Sequence, residues 1–180
     1  MPLNHRPFEP RDEPALARLY LHPDIVHQMC YDPVGPEGFG QILAEFLAGA
    51  ELVVVEEEGE IVGAYRVVPG TRRLSHLAHL GSVAVRPDRQ GRGLGRRMMA
   101  EAIERLRVRG YRRIELTTGA DNERAMRLYL SLGFRVEGTM RGYFTRAGQP
   151  GLHDEVMLAI VDEGPARTSK PAAPAEEEGA

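Results

Sequence analysis

The sequence predicts a mixed α/β domain, and three observations lead to that prediction. The chain has 180 residues, slightly more than one typical domain. Some segments carry apolar residues at helical spacing, whereas others are short runs of β-branched residues typical of strands. After residue 161 the chain is rich in Pro, Ala, Glu and Gly and has no apolar periodicity. We therefore expect a folded domain over residues 1–161 and a disordered tail over residues 162–180.

Seven strands and four helices are predicted along the domain, with two helices in succession after the first strand and three strands in succession after them. The strands are expected over residues 3–8, 52–57, 60–68, 77–85, 114–118, 136–140 and 153–161. The helices are expected over residues 12–21, 36–49, 94–110 and 122–131. Asp12 and Asn122 are suitable N-caps, and Gly49, Gly110 and Gly133 are suitable helix terminators.

Two details of this scheme concern particular residues. The apolar face of the second helix is expected to bury Phe39, Leu43, Phe46 and Leu47. The last two strands are expected to flank a loop, because glycine and proline interrupt the pattern between them. The residues that indicate this loop are Gly142, Gly148, Pro150 and Gly151.

Composition excludes several classes of protein. No apolar run approaches the ~18 residues that a membrane span requires, and the first residues contain no apolar stretch typical of a signal peptide. With Cys30 as its single cysteine, the chain can form neither an internal disulfide nor a CxxC zinc site. We therefore expect a cytoplasmic protein without membrane association or a bound metal.

Charge is distributed unevenly along the chain. Residues 1–85 carry 6 basic and 12 acidic side chains, whereas residues 86–113 carry 10 basic and 3 acidic ones. A single basic segment in an otherwise acidic chain favours a small polyanionic ligand over a nucleic acid. The acidic first half would suit a cationic amine, although Glu56, Glu57 and Glu58 can equally be a solvated hairpin tip.

A glycine-rich segment, Gln-Gly-Arg-Gly-Leu-Gly over residues 90–95, lies between a predicted strand and a predicted helix. Glycines let the backbone approach a ligand closely, and the unpaired N–H groups of a helix N-terminus attract phosphate. The spacing is not GxGxxG, and no Gly-Lys-Ser/Thr follows. This argues against a dinucleotide fold or an NTPase.

Two motifs resemble the GNAT superfamily of N-acyltransferases. Gln90, Gly93 and Gly95 match its acyl-CoA signature, Gln/Arg-x-x-Gly-x-Gly/Ala. Downstream, the segment over residues 122–134 resembles the family pattern Asn-x-x-Ala-x-x-Leu-Tyr-x-x-x-Gly-Phe. The resemblance implies a mixed, mostly antiparallel twisted sheet of six to seven strands flanked by about four helices. It further implies acetyl transfer from acetyl-CoA to a primary amine, by direct attack in a ternary complex.

The same resemblance assigns residues to acetyl-CoA. The strand backbone would pair with the pantetheine arm, and the loop amides would hold the pyrophosphate. These residues are Val83, Ala84, Val85, Gln90, Gly91, Arg92, Gly93, Leu94, Gly95 and Arg96. Asn122 would contact the pantetheine, cap its helix, or do both.

Tyr129 occupies the position where the family commonly places the acid that protonates the departing thiolate. A phenol near the sulfur can donate a proton as negative charge develops there. At helical spacing with Leu128 and Leu132, Tyr129 can equally be a core residue with a satisfied hydroxyl.

The general base is open between two residues or a path to water. Counting by alternation, His79 shares a strand face with Gly81, Val83 and Val85, and some family members carry an acidic base at its position. An unperturbed histidine pKa near ~6.5 would suit the role. His76 and His79 can equally be ordinary surface residues of the strand. Glu115, on the neighbouring strand, is the second candidate.

The amine acceptor is not identified by the sequence. Tyr31, Arg141, Tyr143 and the segment over residues 153–155 are candidates for its site, because the family builds this pocket from the first helices and the last hairpin. The acceptor can be a small-molecule amine or a protein amine, and a homodimer is compatible with the resemblance. The alternative function is a non-catalytic acyl-CoA-binding or sensor module with the same fold.

Overall fold

The computed structural model describes residues 2–29, 31–32 and 34–164. Residues 162–164 form neither helix nor strand. The rest of the predicted tail, residues 165–180, lies outside the described residues, as does Cys30. Among the described residues, no helix is both long and apolar enough to cross a membrane.

One seven-stranded sheet organises the domain, in the order β1-β2-β3-β4-β5-β7-β6. The strands are β1 (Asn4–Pro7), β2 (Glu51–Glu57), β3 (Glu60–Pro69), β4 (Leu77–Val85), β5 (Arg113–Gly119), β6 (Arg135–Arg146) and β7 (Gln149–Val161). Neighbouring strands run antiparallel except β4 and β5, which are parallel. The predicted mixed, mostly antiparallel sheet is confirmed.

Among the residues that the structure describes, five α-helices cover the two faces of the sheet. They are α1 (Glu13–Tyr20), α2 (Pro23–Val26), α3 (Phe39–Leu47), α4 (Leu94–Val108) and α5 (Glu123–Ser131). Residues of α1, α2 and α3 form one apolar core with one face of the sheet, which we call the α3 face. Residues of α4 and α5 form a second core with the opposite face, which we call the α4 face.

The helix predictions needed two corrections. The one-turn helix α2 was missed, because four residues are too few to show a helical period. The helix expected from residue 36 begins with a 3-10 turn at Pro36–Gly38, so that α3 starts at Phe39. Leu47, predicted to be buried, is 40% exposed at the end of α3.

The loop predicted between the last two strands is much shorter than expected. Strands β6 and β7 form a long hairpin that turns at residues 147–148. Gly142, Pro150 and Gly151 therefore lie inside strands rather than in a loop. Register shifts along the hairpin accommodate these residues, because an irregular ladder tolerates glycine and proline where a regular one does not.

A bulge in the middle of β4 changes which way its side chains point. Ala64 of β3 pairs with Ala84, but Arg66 pairs with Gly81, so that one residue of β3 faces two of β4. Ser82 has a φ of 48°, in the left-handed region. The Tyr20 hydroxyl donates a hydrogen bond to the carbonyl oxygen of Ser82 at 2.7 Å.

The bulge overturns the predicted alternation of β4. Ala78 and Leu80 pack on the α4 face before the bulge, whereas Val83 and Val85 pack there after it. His79 therefore points to the α3 face, opposite to Val83 and Val85. The prediction that these three residues share a face was wrong, because counting by twos assumes an uninterrupted pleat.

Ion pairs within the fold neutralise much of the uneven charge. Arg97 pairs with Glu57, Arg86 and Arg89 with Glu60, and Arg109 with Glu51. The basic segment therefore binds carboxylates of the acidic first half. These four arginines are therefore not available as unpaired charges for a polyanionic ligand.

Candidate active site

A cavity of about 780 Å³ extends from the glycine-rich loop to the α3 face. It opens where β4 and β5 separate. The parallel pairing joins residues 77–79 to residues 113–115, with His79 opposite Glu115 as the last pair. Beyond this point the cavity is lined by residues 80–85 of β4 and residues 117–119 of β5.

The donor half of the cavity contains the glycine-rich loop and the start of α4. Gly91 and Gly93 both have a φ of 77°, which favours glycine. Gly93 is the N-cap of α4, so the first unpaired N–H groups of this helix face the loop. A Cβ at Gly95 would lie 3.6 Å from Val85 and 3.8 Å from Leu128, which is ordinary contact. The fold itself therefore does not require glycine at residue 95.

Side chains around this loop fit a phosphate-bearing ligand. The Gln90 amide donates to the Val85 carbonyl at 2.8 Å, and its oxygen accepts from Arg124 at 2.5 Å. Arg96 donates to the Ser131 hydroxyl at 2.6 Å. Arg96 and Arg124 line the cavity without an ion pair among the described residues. Their charges, together with the dipole of α4, favour an anion at this end.

Most of the residues predicted to bind acetyl-CoA line this one cavity. They are Val83, Ala84, Val85, Gln90, Gly91, Gly93, Gly95, Arg96, Asn122 and Tyr129. Leu94 is buried in the core, and Arg92 is exposed beside the loop. Asn122 caps α5, since its side-chain oxygen accepts from the Ala125 N–H at 3.1 Å.

Tyr129 is buried in the core of the α4 face and also lines the cavity. The ring contacts Phe134 edge-on, with centroids 5.8 Å apart. The hydroxyl has no hydrogen-bond partner among the described residues. Burial raises the pKa of Tyr129 to about 12. The phenol is therefore neutral at physiological pH and has a hydrogen to donate.

His79 lies in the cavity where β4 and β5 separate, near Glu115 of β5 and Glu155 of β7. Its Nδ1 is 3.7 Å from a Glu115 carboxylate oxygen. The other oxygen of Glu115 accepts from the Arg113 Nε at 2.7 Å, which fixes the carboxylate. Burial lowers the pKa of His79, while Glu115 and Glu155 oppose that shift and Arg66 adds to it. The neutral imidazole is therefore favoured at pH 7.

Glu115 is better placed to orient His79 than to act as the base. A hydrogen on Nδ1 directed at Glu115 leaves the lone pair on Nε2. Glu115 does not line the cavity, whereas His79 does. His76 is exposed, and its carbonyl accepts the backbone N–H groups of residues 112 and 113.

The predicted acceptor residues divide between two clefts. Tyr31 and the buried Glu155 line the large cavity. Tyr143 lines an adjoining cleft of about 420 Å³, which also includes Tyr31. Arg141 is exposed on β6 and lines neither of these two clefts.

Sequence reasoning missed Arg66 and Arg124. Arg66 was readable as a single charged residue inside an otherwise apolar strand, and such a residue is expensive to bury without a reason. Arg124 carried no signal, because an arginine in the first turn of a helix is common on protein surfaces.

Fold and site together define a class of protein. A sheet that splits between two parallel strands places around one cavity a glycine-rich loop, a histidine and a phenol that has no hydrogen-bond partner among the described residues. This is the arrangement of an acyltransferase that takes its acyl group from a CoA thioester.

The chain belongs to the acetyltransferase (GNAT) family, whose model matches residues 10–134. The L-amino acid N-acetyltransferase AaaT of Escherichia coli (strain K12) is 31% identical over 149 residues, which cover 80% of this chain and 90% of that protein. The ribosomal-protein-alanine N-acetyltransferase of Brucella melitensis superposes with a TM-score of 0.71 at 27% identity, covering 88% of this chain and 99% of that one. The spermidine N-acetyltransferase of Vibrio cholerae, solved with CoA and spermine, has a TM-score of 0.76 over 89% of this chain and 96% of that one. At 19% identity, that similarity shows the fold.

These similarities confirm the predicted family and enzyme class: the chain is an N-acetyltransferase. The alternative of a non-catalytic binding module receives no support from them.

Proposed function

We propose that this chain transfers the acetyl group of acetyl-CoA to a primary amine, with His79 as the base and Tyr129 as the hydrogen-bond donor to sulfur. The observation that carries the proposal is the single cavity that joins the glycine-rich loop, Tyr129 and His79 through the gap between β4 and β5. The amine and the thioester can therefore meet from opposite ends of one space.

Acetyl-CoA is the acyl donor, and it supplies an activated thioester. The N–H groups at the start of α4, with Arg96 and Arg124, are suited to its phosphates. The backbone of Val83 and Val85, beside the gap, is suited to its pantetheine amides. The pairing between β4 and β5 ends at His79 and Glu115, so the edge of β4 that faces β5 makes no further ladder contacts with it beyond that point.

His79 accepts one proton from the amine as the nitrogen bonds to the acetyl carbon. A neutral imidazole is required for this step, and the lowered pKa supplies it. The carbon–sulfur bond breaks, and the electron pair leaves with sulfur. Tyr129 donates a hydrogen bond to the sulfur, which stabilises the charge. Because its pKa exceeds the ~8.5 of a thiol, Tyr129 keeps its own proton, and the thiolate is protonated from solvent.

Titration of the purified protein with acetyl-CoA tests the donor site. A ligand present at 100 times its Kd raises the free energy of unfolding by about 2.7 kcal/mol. We expect a corresponding rise in Tm with acetyl-CoA, and a smaller one with S-acetylpantetheine, which keeps the thioester and lacks every phosphate. No shift at millimolar acetyl-CoA would refute the donor site.

Release of CoA thiol in the presence of an amine library tests the transfer itself. We expect thiol release that depends on both substrates and is matched by acetylated amine in a mass spectrum. Acetyl-CoA binding without acceptor-dependent release would refute the transferase proposal and leave the donor site intact.

The cytoplasmic location and the homodimer remain predictions. The exposed strand β6 lies at one edge of the sheet, where a second copy could pair. Sedimentation of the full chain at micromolar concentration would distinguish a monomer from a dimer.

A further inference from the structure

Arg66 lines the cavity and has no counter-ion within the part of the chain that the structure describes. It lies on β3, between the buried residues Tyr65 and Val67. Its Nε is buried and has no hydrogen-bond partner among the described residues. The guanidinium stacks over the Phe46 ring, 5.0 Å from the centroid, which holds it in place but leaves its donors free.

Other arginines at partly buried positions form ion pairs with carboxylates. Arg6 binds Asp12 and Glu56, and Arg113 binds Glu115 and Glu137. Arg66 makes no ion pair with any described residue, although a cation withdrawn from water is costly unless it is paired. Burial accordingly lowers its pKa. A group of this kind is explained when a ligand supplies the missing anion.

The position of Arg66 assigns that anion to the acceptor rather than to acetyl-CoA. Arg66 pairs across the ladder with Gly81. Two residues further along β3, Val68 pairs with His79. Arg66 and His79 are therefore diagonal neighbours, about 7–8 Å apart at their backbones. Both point to the α3 face, whereas Val83 and Val85 point to the α4 face. Because Gly81 has no side chain, nothing from β4 separates the guanidinium from the imidazole.

The surrounding charges indicate which anion fits. The cavity also contains Glu155, which is buried, together with Asp24 and Glu45. A dianionic phosphate would be repelled by these carboxylates. A monoanionic carboxylate paired to Arg66 is compatible with them, and the carboxylates favour an ammonium group on the same molecule.

We propose that the acceptor is a zwitterionic amino acid whose carboxylate binds Arg66 while its amino group lies beside His79. This rests on the proposed N-acetyltransferase function and narrows its substrate class. A polyamine or a lysine side chain would leave Arg66 unpaired in the closed complex, and the site would therefore discriminate against it.

A substrate comparison with the wild-type full chain tests the carboxylate directly. Each proteinogenic L-amino acid is assayed for CoA release, and each one that reacts is compared with its carboxamide and its decarboxylated amine. We expect kcat/KM to fall about 10- to 100-fold when the carboxylate is lost. Equal rates for the acid and its carboxamide would overturn the inference while leaving the transferase function standing.

Variants then assign the effect to Arg66. Arg66→Met should raise KM for amino acids about 10- to 100-fold, with a smaller change in kcat, and should abolish the preference over the carboxamide. Arg66→Lys keeps the charge and should recover part of the preference. Arg73→Met, at an exposed arginine outside the cavity, is the matched control. Unchanged acetyl-CoA affinity shows that a variant is folded.

Calorimetry separates this inference from the proposed function. Amino acids are titrated into the protein saturated with CoA. Binding that requires both the ligand carboxylate and Arg66 supports the inference even if no acceptor is acetylated, in which case the proposed function alone fails. Binding that survives Arg66→Met unchanged, with the preference for acids intact, refutes the inference.

Discussion

The ring and the hydroxyl of Tyr129 make different interactions. The ring packs in the core against Phe134, and the hydroxyl has no partner among the described residues. Replacement by phenylalanine therefore removes one hydrogen-bond donor and little packing. Few positions in the cavity allow such a clean test.

We predict that Tyr129→Phe lowers kcat about 10- to 100-fold, because one donor to the developing negative charge is lost. The Kd for acetyl-CoA and the Tm should stay close to those of the wild type. Stopped assays with saturating substrates and a thermal melt provide both readouts. Full activity would remove Tyr129 from the mechanism.

His79 should give the enzyme an acidic limb in its pH profile. Its pKa is lowered below 6.5, so kcat should be constant near pH 7 and fall as the imidazole is protonated at lower pH. Glu115 raises this pKa against the effect of burial. We therefore predict that Glu115→Gln moves the acidic limb to lower pH, whereas His79→Gln abolishes it.

Glu137→Gln is the matched control for that experiment. Glu137 binds the same Arg113 guanidinium as Glu115, but it does not contribute to the pKa of His79. An acidic limb that moves equally in both variants would show that Arg113, rather than the Glu115–His79 contact, sets the profile.

At the scale of elements, the loop before α4 contains two glycines with different reasons for being there. Gly93 has a φ of 77°, so alanine would be strained by about 1–2 kcal/mol. Gly95 has ordinary helical backbone and room for a methyl group within the protein. Its missing side chain is instead suited to the close approach of a phosphate.

We predict that Gly93→Ala lowers Tm by several degrees, whereas Gly95→Ala leaves Tm unchanged or slightly higher. Gly95→Ala should nevertheless raise the Kd for acetyl-CoA at least about tenfold, because the methyl group occupies ligand space. Melts with and without acetyl-CoA measure both effects. Normal affinity in Gly95→Ala would show that the ligand does not approach this backbone.

Arg6 of β1 joins β2 to the start of α1 through its ion pairs with Glu56 and Asp12. The contribution of Asp12 to the free energy of unfolding should depend on pH. Arg6 binds the buried Asp12 through two hydrogen bonds of 2.6 and 2.8 Å, and Asp12 also accepts from the Glu9 N–H at 2.8 Å. The Arg6 guanidinium holds the pKa of Asp12 below its ordinary value of 3.8.

We predict that Asp12→Asn lowers the free energy of unfolding by about 2–3 kcal/mol near pH 7. Because the folded pKa is depressed, this contribution is fully present above about pH 4 and is lost as the pH falls through the folded pKa. Denaturant titrations at pH 7 and pH 3 measure the difference. Glu123→Gln, which breaks an exposed pair with Arg127, should change the value by less than about 0.5 kcal/mol.

Much of this architecture was predictable from local sequence patterns. The strand over residues 77–85 was predicted to the residue, and α5 was predicted from its Asn122 cap. The bulge at Ser82 was not, because it is stabilised by Tyr20, which is distant in sequence. His79 was therefore predicted on the wrong face of the sheet. Arg66 was not predicted as a residue of the site.

For the whole molecule, the C-terminal boundary of the domain is open to a direct test. The last strand ends at Val161. The Asp162 N–H donates to the Arg112 carbonyl at 2.7 Å, and the Arg112 guanidinium donates to the Asp162 carbonyl at 3.1 Å. We predict that a chain ending at Gly164 keeps the Tm within about 1 °C and keeps its acetyl-CoA affinity. A chain ending at Leu158 removes part of β7, including the buried Ala159, and should melt at lower temperature.

The single extra residue in β4 has a consequence for how such a site can change over time. In the proposed mechanism, the part of β4 before Ser82 faces the amine and the part after it faces the thioester, because the bulge reverses the direction of the side chains. If the proposed roles hold, substitutions at Arg66 can thus alter the choice of amine while the glycine-rich loop proposed for the common donor stays as it is. Deletion of one residue at the bulge would reverse the side chains of one part of β4 relative to the other. We expect this deletion to abolish acetyl-CoA binding and amine acetylation together.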